Sequence, residues 1–228
     1  MRAPELRDLT IAWLRARHPE AIIVPELSVA DWGGASIDVA AITPTHIVGV
    51  EIKAEGDSPS RLDLQGAVYP RVAREMWLLP DESIREKCFA KKPSGWGRLE
   101  VWDGAVRPWN RATKVARFEE RERNGMRWKV GISERDHDRV DPDEAQRLNA
   151  LCPASMCGTL WRDELAQIAL RVGGLRLFGR ANVGPLTEAI CAQLPAPVIH
   201  DLMIEQLRAR AWGSKKVVQP PALAEEPR

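Results

Sequence analysis

The sequence predicts an α+β fold: a helix, three meandering strands, a second helix and a fourth strand around a mixed sheet, followed by an all-helical C-terminal region. Three observations carry this. Leu6, Leu9, Ala12, Trp13 and Ala16 recur at helical spacing near the N-terminus. Short apolar runs separated by turn residues fill the next stretch, "AIIVPELSV", "SIDVAAI" and "HIVGVEIKA". From about Leu151 the apolar pattern turns helical and no strand-like run follows. The αβββαβ core is assigned to 1–110, a basic and charged connection to 111–150, helices to 151–212 and a disordered tail to 213–228.

The elements follow in order. The first helix covers 4–18 and stops at Pro19. The first strand is interrupted by Pro25, "DWGG" is turn material, and "TPT" separates the second strand from the third. Asp57 or Ser58 can cap the second helix, with Pro59 in its first turn, and that helix runs to about Arg74. "EMWLLP" is the fourth strand and "SIREKCFAKK" is helical. "RLEVW" and "AVRPW" flank an Asp-Gly pair and read as a hairpin. Residues 111–150 read as helix and loop. "TLWRDELAQIALRVGG" is a helix ended by a glycine pair, and "PLTEAICAQL" and "VIHDLMIEQLRARAW" are two more around a proline-bounded turn.

Composition narrows the function classes. At 44% hydrophobic and 29% charged the chain is ordinary for a globular protein, and its net charge of +1 names no partner. No apolar run approaches the roughly 18 residues of a membrane span, and the N-terminus lacks a signal-peptide layout, so a cytoplasmic protein is expected. Cys88, Cys152, Cys157 and Cys191 form no CxxC pair and read as free thiols, and the scattered His18, His46, His137 and His200 disfavour a His-rich metal site. Charge is uneven, however: Arg85 to Arg135 holds fourteen Lys/Arg against seven Asp/Glu. That asymmetry suits a polyanion, though the alternating signs of "RFEERERNGMRWK" also suit a solvated face.

The chemistry lies in the third strand. Its side chains alternate faces, so Ile47, Gly49, Glu51 and Lys53 share one. Charges on a buried strand are costly unless they have partners. A hairpin turning near Pro44 and Thr45 sets Asp38 opposite Glu51, at a ladder spacing of about 5 Å. Two carboxylates so close need a cation, and Mg²⁺ suits them, being a hard ion commonly held by one or two carboxylates plus substrate phosphates. Lys53 beside it can orient water or stabilise charge developing on a phosphate. Gly49 is expected to leave open space near Glu51.

Asp38, twelve residues, then Glu51-Ile52-Lys53 resembles the signature of the PD-(D/E)XK nuclease superfamily. Gln65-x-x-x-Tyr69 on the following helix resembles its RecB-like branch, and the span from "VPELSV" to "LLP" is similar to small bacterial DNA repair domains of the MmcB-like type. The resemblance covers roughly 5–110 and implies a restriction-endonuclease-like core. It implies Asp38 and Glu51 as ligands of Mg²⁺ or Mn²⁺ with the Ile52 carbonyl as a third, Lys53 as the catalytic lysine, and Gln65 and Tyr69 as residues that brace the site or touch DNA. It also implies an upstream acid, for which Glu26 is the first choice and Glu5 the second. Ile37, where many members have Pro, departs from the pattern, and the cysteine spacing does not match the iron–sulfur relatives.

The function expected is therefore metal-dependent hydrolysis of DNA phosphodiesters, in repair, recombination or defence, within a bacterial or phage-like cytoplasm. Arg61, Arg71, Lys91, Lys92 and Arg98 are the candidate phosphate contacts. Two alternatives stand beside it: a nucleic-acid-binding module that no longer cuts, and a transcription regulator whose C-terminal helices form a helix-turn-helix, with cations from "RLFGR" and "EQLRAR". Helices packed on the core are the plainer reading of that region. DNA against RNA, endo against exo action, and homodimer or partner protein stay open.

Overall fold

The computed structural model describes residues 1–29, 35–93, 95–110, 115–123, 126–133, 152–172, 181–213 and 217–221. Helix α1 (Ala3–Arg17) starts with Pro4 in its first turn, and Glu5 reaches back to accept the Arg2 N–H at 3.0 Å. Its buried residues are Leu6, Thr10 and Leu14. Six strands follow in one sheet whose spatial order is the chain order: β1 (Ile22–Val29), β2 (Ala35–Ile42), β3 (Ile47–Lys53), β4 (Glu75–Pro80), β5 (Gly97–Trp102) and β6 (Ala105–Asn110). The β1–β2 and β2–β3 pairs are antiparallel, β3–β4 and β4–β5 parallel, and β5–β6 antiparallel. The α+β class and the mixed sheet are as the sequence predicts. No helix among the described residues is long and apolar enough to cross a membrane.

The second helix is shorter than expected. Ser58 caps a 3₁₀ turn at Pro59–Arg61, α2 is only Leu62–Val68, and the chain tightens into a second 3₁₀ turn at Tyr69–Arg71. Pro70 has no N–H to give the helix, so a run to Arg74 fails there. Helix α3 is Arg85–Ala90. The β5–β6 turn has Asp103 at φ 50° and Gly104 at φ 72°, the left-handed pair that a two-residue hairpin turn demands.

A second correction falls on 111–150. Strands β7 (Val115–Arg123) and β8 (Met126–Ser133) pair antiparallel where helix and loop were expected. Arg123 pairs with Met126, so Asn124-Gly125 connects the strands, the strongest short hairpin signal a sequence carries. The rest of that segment, the "DWGG" turn and the glycine pair at 173–174 lie outside the described residues.

Helices α4 (Pro153–Gly158), α5 (Arg162–Arg171), α6 (Val183–Gln193) and α7 (Ala196–Ala209) complete the regular structure among the described residues. One face of the sheet (Ile23, Val39, Val50, Ile52, Trp77, Leu79) buries itself with Leu6 and Leu14 of α1. The other (Ile22, Val24, Ala40, Ile47, Leu78) joins one continuous core with α2 and with Met156, Leu165, Leu186 and Met203 of the C-terminal helices. The cations proposed for a helix-turn-helix are engaged there. Arg208 donates to the Ile42 carbonyl at 2.8 Å, and Arg210 is held by Glu164 and stacked between Trp161 and Trp212. The "RLFGR" segment lies outside the described residues.

The expected disordered tail is corrected at 217–221. Val218 exchanges both backbone hydrogen bonds with Ile23, at 3.0 and 2.9 Å, and Arg15 donates to the carbonyls of Val218 and Gln219. This short segment covers part of the outer edge of β1. An unpaired strand edge is a hazard, and Pro25 in the same strand is tolerated at an edge position.

Candidate active site

Strand β3 is buried at all seven positions, and its register with β2 is the one the turn at Pro44–Thr45 predicts: Val39 pairs with Val50 and Ala40 with Gly49. The ladder stops at Val39–Val50. One step further, Asp38 turns its carboxylate onto the backbone, and the Ile52 N–H donates to its Oδ2 at 2.7 Å. A buried N–H must find an acceptor, so the side chain of Asp38 takes over from the missing ladder carbonyl. The N–H and C=O of one strand residue point to the same edge, so the Ile52 carbonyl also faces the β2 side.

Glu51 is 1% exposed. Its Oε1 accepts from Lys53 Nζ at 2.7 Å and from Gln65 Nε2 at 2.6 Å. Gln65 Nε2 also reaches the Tyr69 hydroxyl at 3.2 Å, and that hydroxyl donates to the Ser36 carbonyl at 2.6 Å. The Tyr69 ring stacks on Trp96, with centroids 5.9 Å apart. Thus β2, β3 and α2 are tied by one polar chain, and the four-residue spacing sets the Tyr69 hydroxyl against Gln65, which in turn holds Glu51. Two atoms of this chain, Glu51 Oε2 and Gln65 Oε1, are buried without a hydrogen-bond partner. Buried polar atoms are normally satisfied, so the unpartnered Glu51 oxygen is a donor that a cation could take.

The electrostatics agree. Burial pushes the Glu51 carboxyl up to about 7, the Asp38 charge adds to the push, and Lys53 and Gln65 pull against it. Burial also raises Asp38, opposed by the Ile52 N–H and then by Lys53. Burial raises the Tyr69 phenol, and the charge of Glu51 adds to that. Two carboxyls that each resist ionisation, one with an unpartnered oxygen, fit a divalent cation. Asp38, Glu51 and the Ile52 carbonyl are the groups that would hold it. Among the described residues no group of three or more His, Cys, Asp or Glu is placed to hold a metal. Two carboxylates with a backbone carbonyl would suit magnesium or manganese better than zinc.

The structure does not bring every candidate together. Glu26 stands at the register position beside Asp38 but takes a left-handed φ of 54°, leaves its side chain exposed and pairs with Arg7 at 3.1 Å. Glu5 is spent on the α1 cap and on Arg2. Arg61 and Lys91 are exposed. Arg71 donates to the Ala67 carbonyl at 3.2 Å and its own carbonyl receives the Cys152 N–H, so it ties α2 to α4. Lys92 gives its ammonium to the carbonyls of Pro93 and Trp96 at 2.9 and 2.6 Å and closes that loop. Arg98 lies over the Phe89 ring at 4.9 Å.

Gly49 does not leave open space. A Cβ there would stand 2.4 Å from Met76 Sδ and 3.0 Å from Ile37 Cγ2, so the glycine admits packing behind Glu51. Sequence reasoning missed Trp96 and Ser36, which brace Tyr69; the only signal was a tryptophan between two glycines in "SGWGR". A cavity of about 480 Å³ opens elsewhere, lined by Leu6, Asp81, Glu82, Arg85 and Glu100. It does not include the Glu51 cluster.

No family model matches this chain, and no curated protein matches it. Among solved structures, a protein of unknown function from Silicibacter pomeroyi is similar with a TM-score of 0.36 at 16% identity, over 74% of this chain and 93% of that one.

Proposed function

We propose that the chain is a divalent-metal-dependent deoxyribonuclease of the PD-(D/E)XK kind, acting through Asp38, Glu51 and Lys53. One observation carries the reading: a fully buried Glu51 carboxylate, paired on one oxygen and orphaned on the other, beside Asp38. A structural ion pair has no use for an unfilled oxygen. The helix, three strands, helix, strand order around the site supports the same reading, as does the mixed sheet.

The residues divide the work. Asp38 and Glu51 hold the cation, and Gln65 fixes Glu51 in place through its 2.6 Å bond. Tyr69, anchored on Ser36 and stacked on Trp96, fixes Gln65. When bound, the cation supplies charge neutralisation for phosphate oxygens and lowers the pKa of water. Lys53, at 2.7 Å from Glu51, is placed to orient the attacking water and to stabilise charge on the phosphate in the transition state.

The test is incubation of the protein with single-stranded, duplex, branched and flapped DNAs, with and without Mg²⁺ or Mn²⁺. Metal-dependent cleavage of at least one is expected. Binding of DNA without cleavage of any substrate would instead favour a non-cutting module on the same scaffold.

A further inference from the structure

Beyond the Glu51 network, two aromatic rings meet between two arginines. The Arg98 guanidinium lies 4.9 Å from the Phe89 centroid, Phe89 meets Trp109 edge-on at 6.1 Å, and the Arg85 guanidinium lies 5.8 Å from the Trp109 centroid. Trp109 is 52% exposed. Lone exposed apolar residues are ordinary, but this one stands in a cationic surrounding on the most positive stretch of the chain.

The register places the cluster on the site's face. Glu51 pairs with Leu78, and Leu78 with Arg98, so Arg98 sits in the same cross-strand row two strands away, about 10 Å at 4.8 Å per strand. On β6, Val106 is buried in the core beneath α1, so alternation turns Arg107 and Trp109 to the opposite face, the one that carries Glu51. Helix α3 carries both Arg85 and Phe89 of the cluster.

Arg85 retains donors. The acids nearest Arg85, Glu82 and Glu100, stand 3.8 and 3.9 Å from its guanidinium, too far for hydrogen bonds. Arg107 is exposed. An exposed indole flanked by guanidinium groups is the combination that holds unpaired bases: rings stack, and cations follow the phosphates.

We propose that this face binds single-stranded DNA, with a base stacked on Trp109 and phosphates led by Arg107 and Arg98 toward Glu51. The proposal rests on the nuclease reading and gives it a substrate class, DNA with an unpaired segment at the cut. A rigid duplex offers no free base to Trp109, so duplex DNA without a frayed end or flap is a poorer ligand.

The experiment is fluorescence anisotropy of the full chain, in chelator so that nothing is cut, with a labelled thymidine oligomer of about 16 nucleotides and a blunt duplex of equal length. Trp109→Ala is expected to weaken oligomer binding about tenfold, Trp109→Phe to retain most of it, and both to leave duplex binding within about twofold. Replacing a half-exposed surface ring leaves the core intact, and unchanged thermal unfolding checks this. Equal oligomer affinity for wild type and Trp109→Ala overturns the proposal, as does equal loss on both DNAs or no binding of the oligomer by wild type, which would leave a protein partner for the ring. If Trp109→Ala loses the oligomer but wild type cuts nothing with metal, the surface stands and the nuclease reading falls. If wild type cuts and Trp109→Ala binds normally, only the surface falls.

Discussion

Glu51 sets the terms at the scale of single residues. Its carboxyl is raised from 4.5 to about 7 by burial and by Asp38. A group raised in the folded state adds stability below its unfolded pKa and loses it as pH rises through the folded one. Metal-free protein therefore loses this contribution between about pH 4.5 and 7. The histidines act with the opposite sign. Burial lowers His18, His46 and His200, so their contribution is present above the ordinary histidine range and lost as pH falls. Glu51→Gln removes the first effect and keeps the second. At pH 8 in chelator the variant should be more stable than wild type, by about 3 kcal/mol, since one pKa unit is about 1.4 kcal/mol. The gain should vanish near pH 4. Added Mg²⁺ or Mn²⁺ should raise the thermal midpoint of wild type and leave Glu51→Gln unmoved. Denaturant titrations at the two pH values check this; a variant less stable than wild type at pH 8 would mean that Glu51 serves the fold and not a cation.

At the scale of elements, local signals were legible where one residue type decides the outcome. Asp103-Gly104 named the β5–β6 hairpin, Pro44–Thr45 fixed the β2–β3 register, and the four-residue step from Gln65 to Tyr69 put the two side chains in contact beside Glu51. Asn124-Gly125 was equally legible, but the charge of the flanking strands hid a hairpin that alternation alone does not advertise. Pro70 was legible as a helix stop and was outweighed by the apolar pattern running past it. What no local pattern contains is contact at long range. The bridge from Val218 to Ile23 and the filling of Gly49's space by Met76 both depend on partners far along the chain. Glu26 failed for a related reason: its position beside Asp38 is set by register, but its left-handed backbone and the cation of Arg7 draw it elsewhere.

At the scale of the whole molecule, the sheet presents two faces to two covers. Helix α1 closes one, and the C-terminal helices close the other in the same core as α2, which carries Gln65 and Tyr69. The 151–212 helices therefore belong to the stability of the site's scaffold. A chain ending at residue 150 would expose the apolar surface that Met156, Leu165, Leu186 and Met203 now bury. Each such side chain contributes about 1.5–3 kcal/mol when fully buried, and an ordinary domain has only about 5–15 kcal/mol in total. The truncated chain should show no sharp thermal transition by circular dichroism; a cooperative transition near that of the full chain would show that 1–150 folds on its own.

Single-turnover DNA cleavage with saturating Mg²⁺ tests whether Asp38, Glu51 and Lys53 form a hydrolytic centre. The substrate is whichever DNA the wild type cuts, and the variants are Glu51→Gln and Lys53→Ala. Cleavage should be abolished in Glu51→Gln. In Lys53→Ala the rate should fall by about 10² or more while DNA affinity changes little, because the lysine acts on charge that develops only in the transition state. Cleavage at the wild-type rate by either variant would contradict the account.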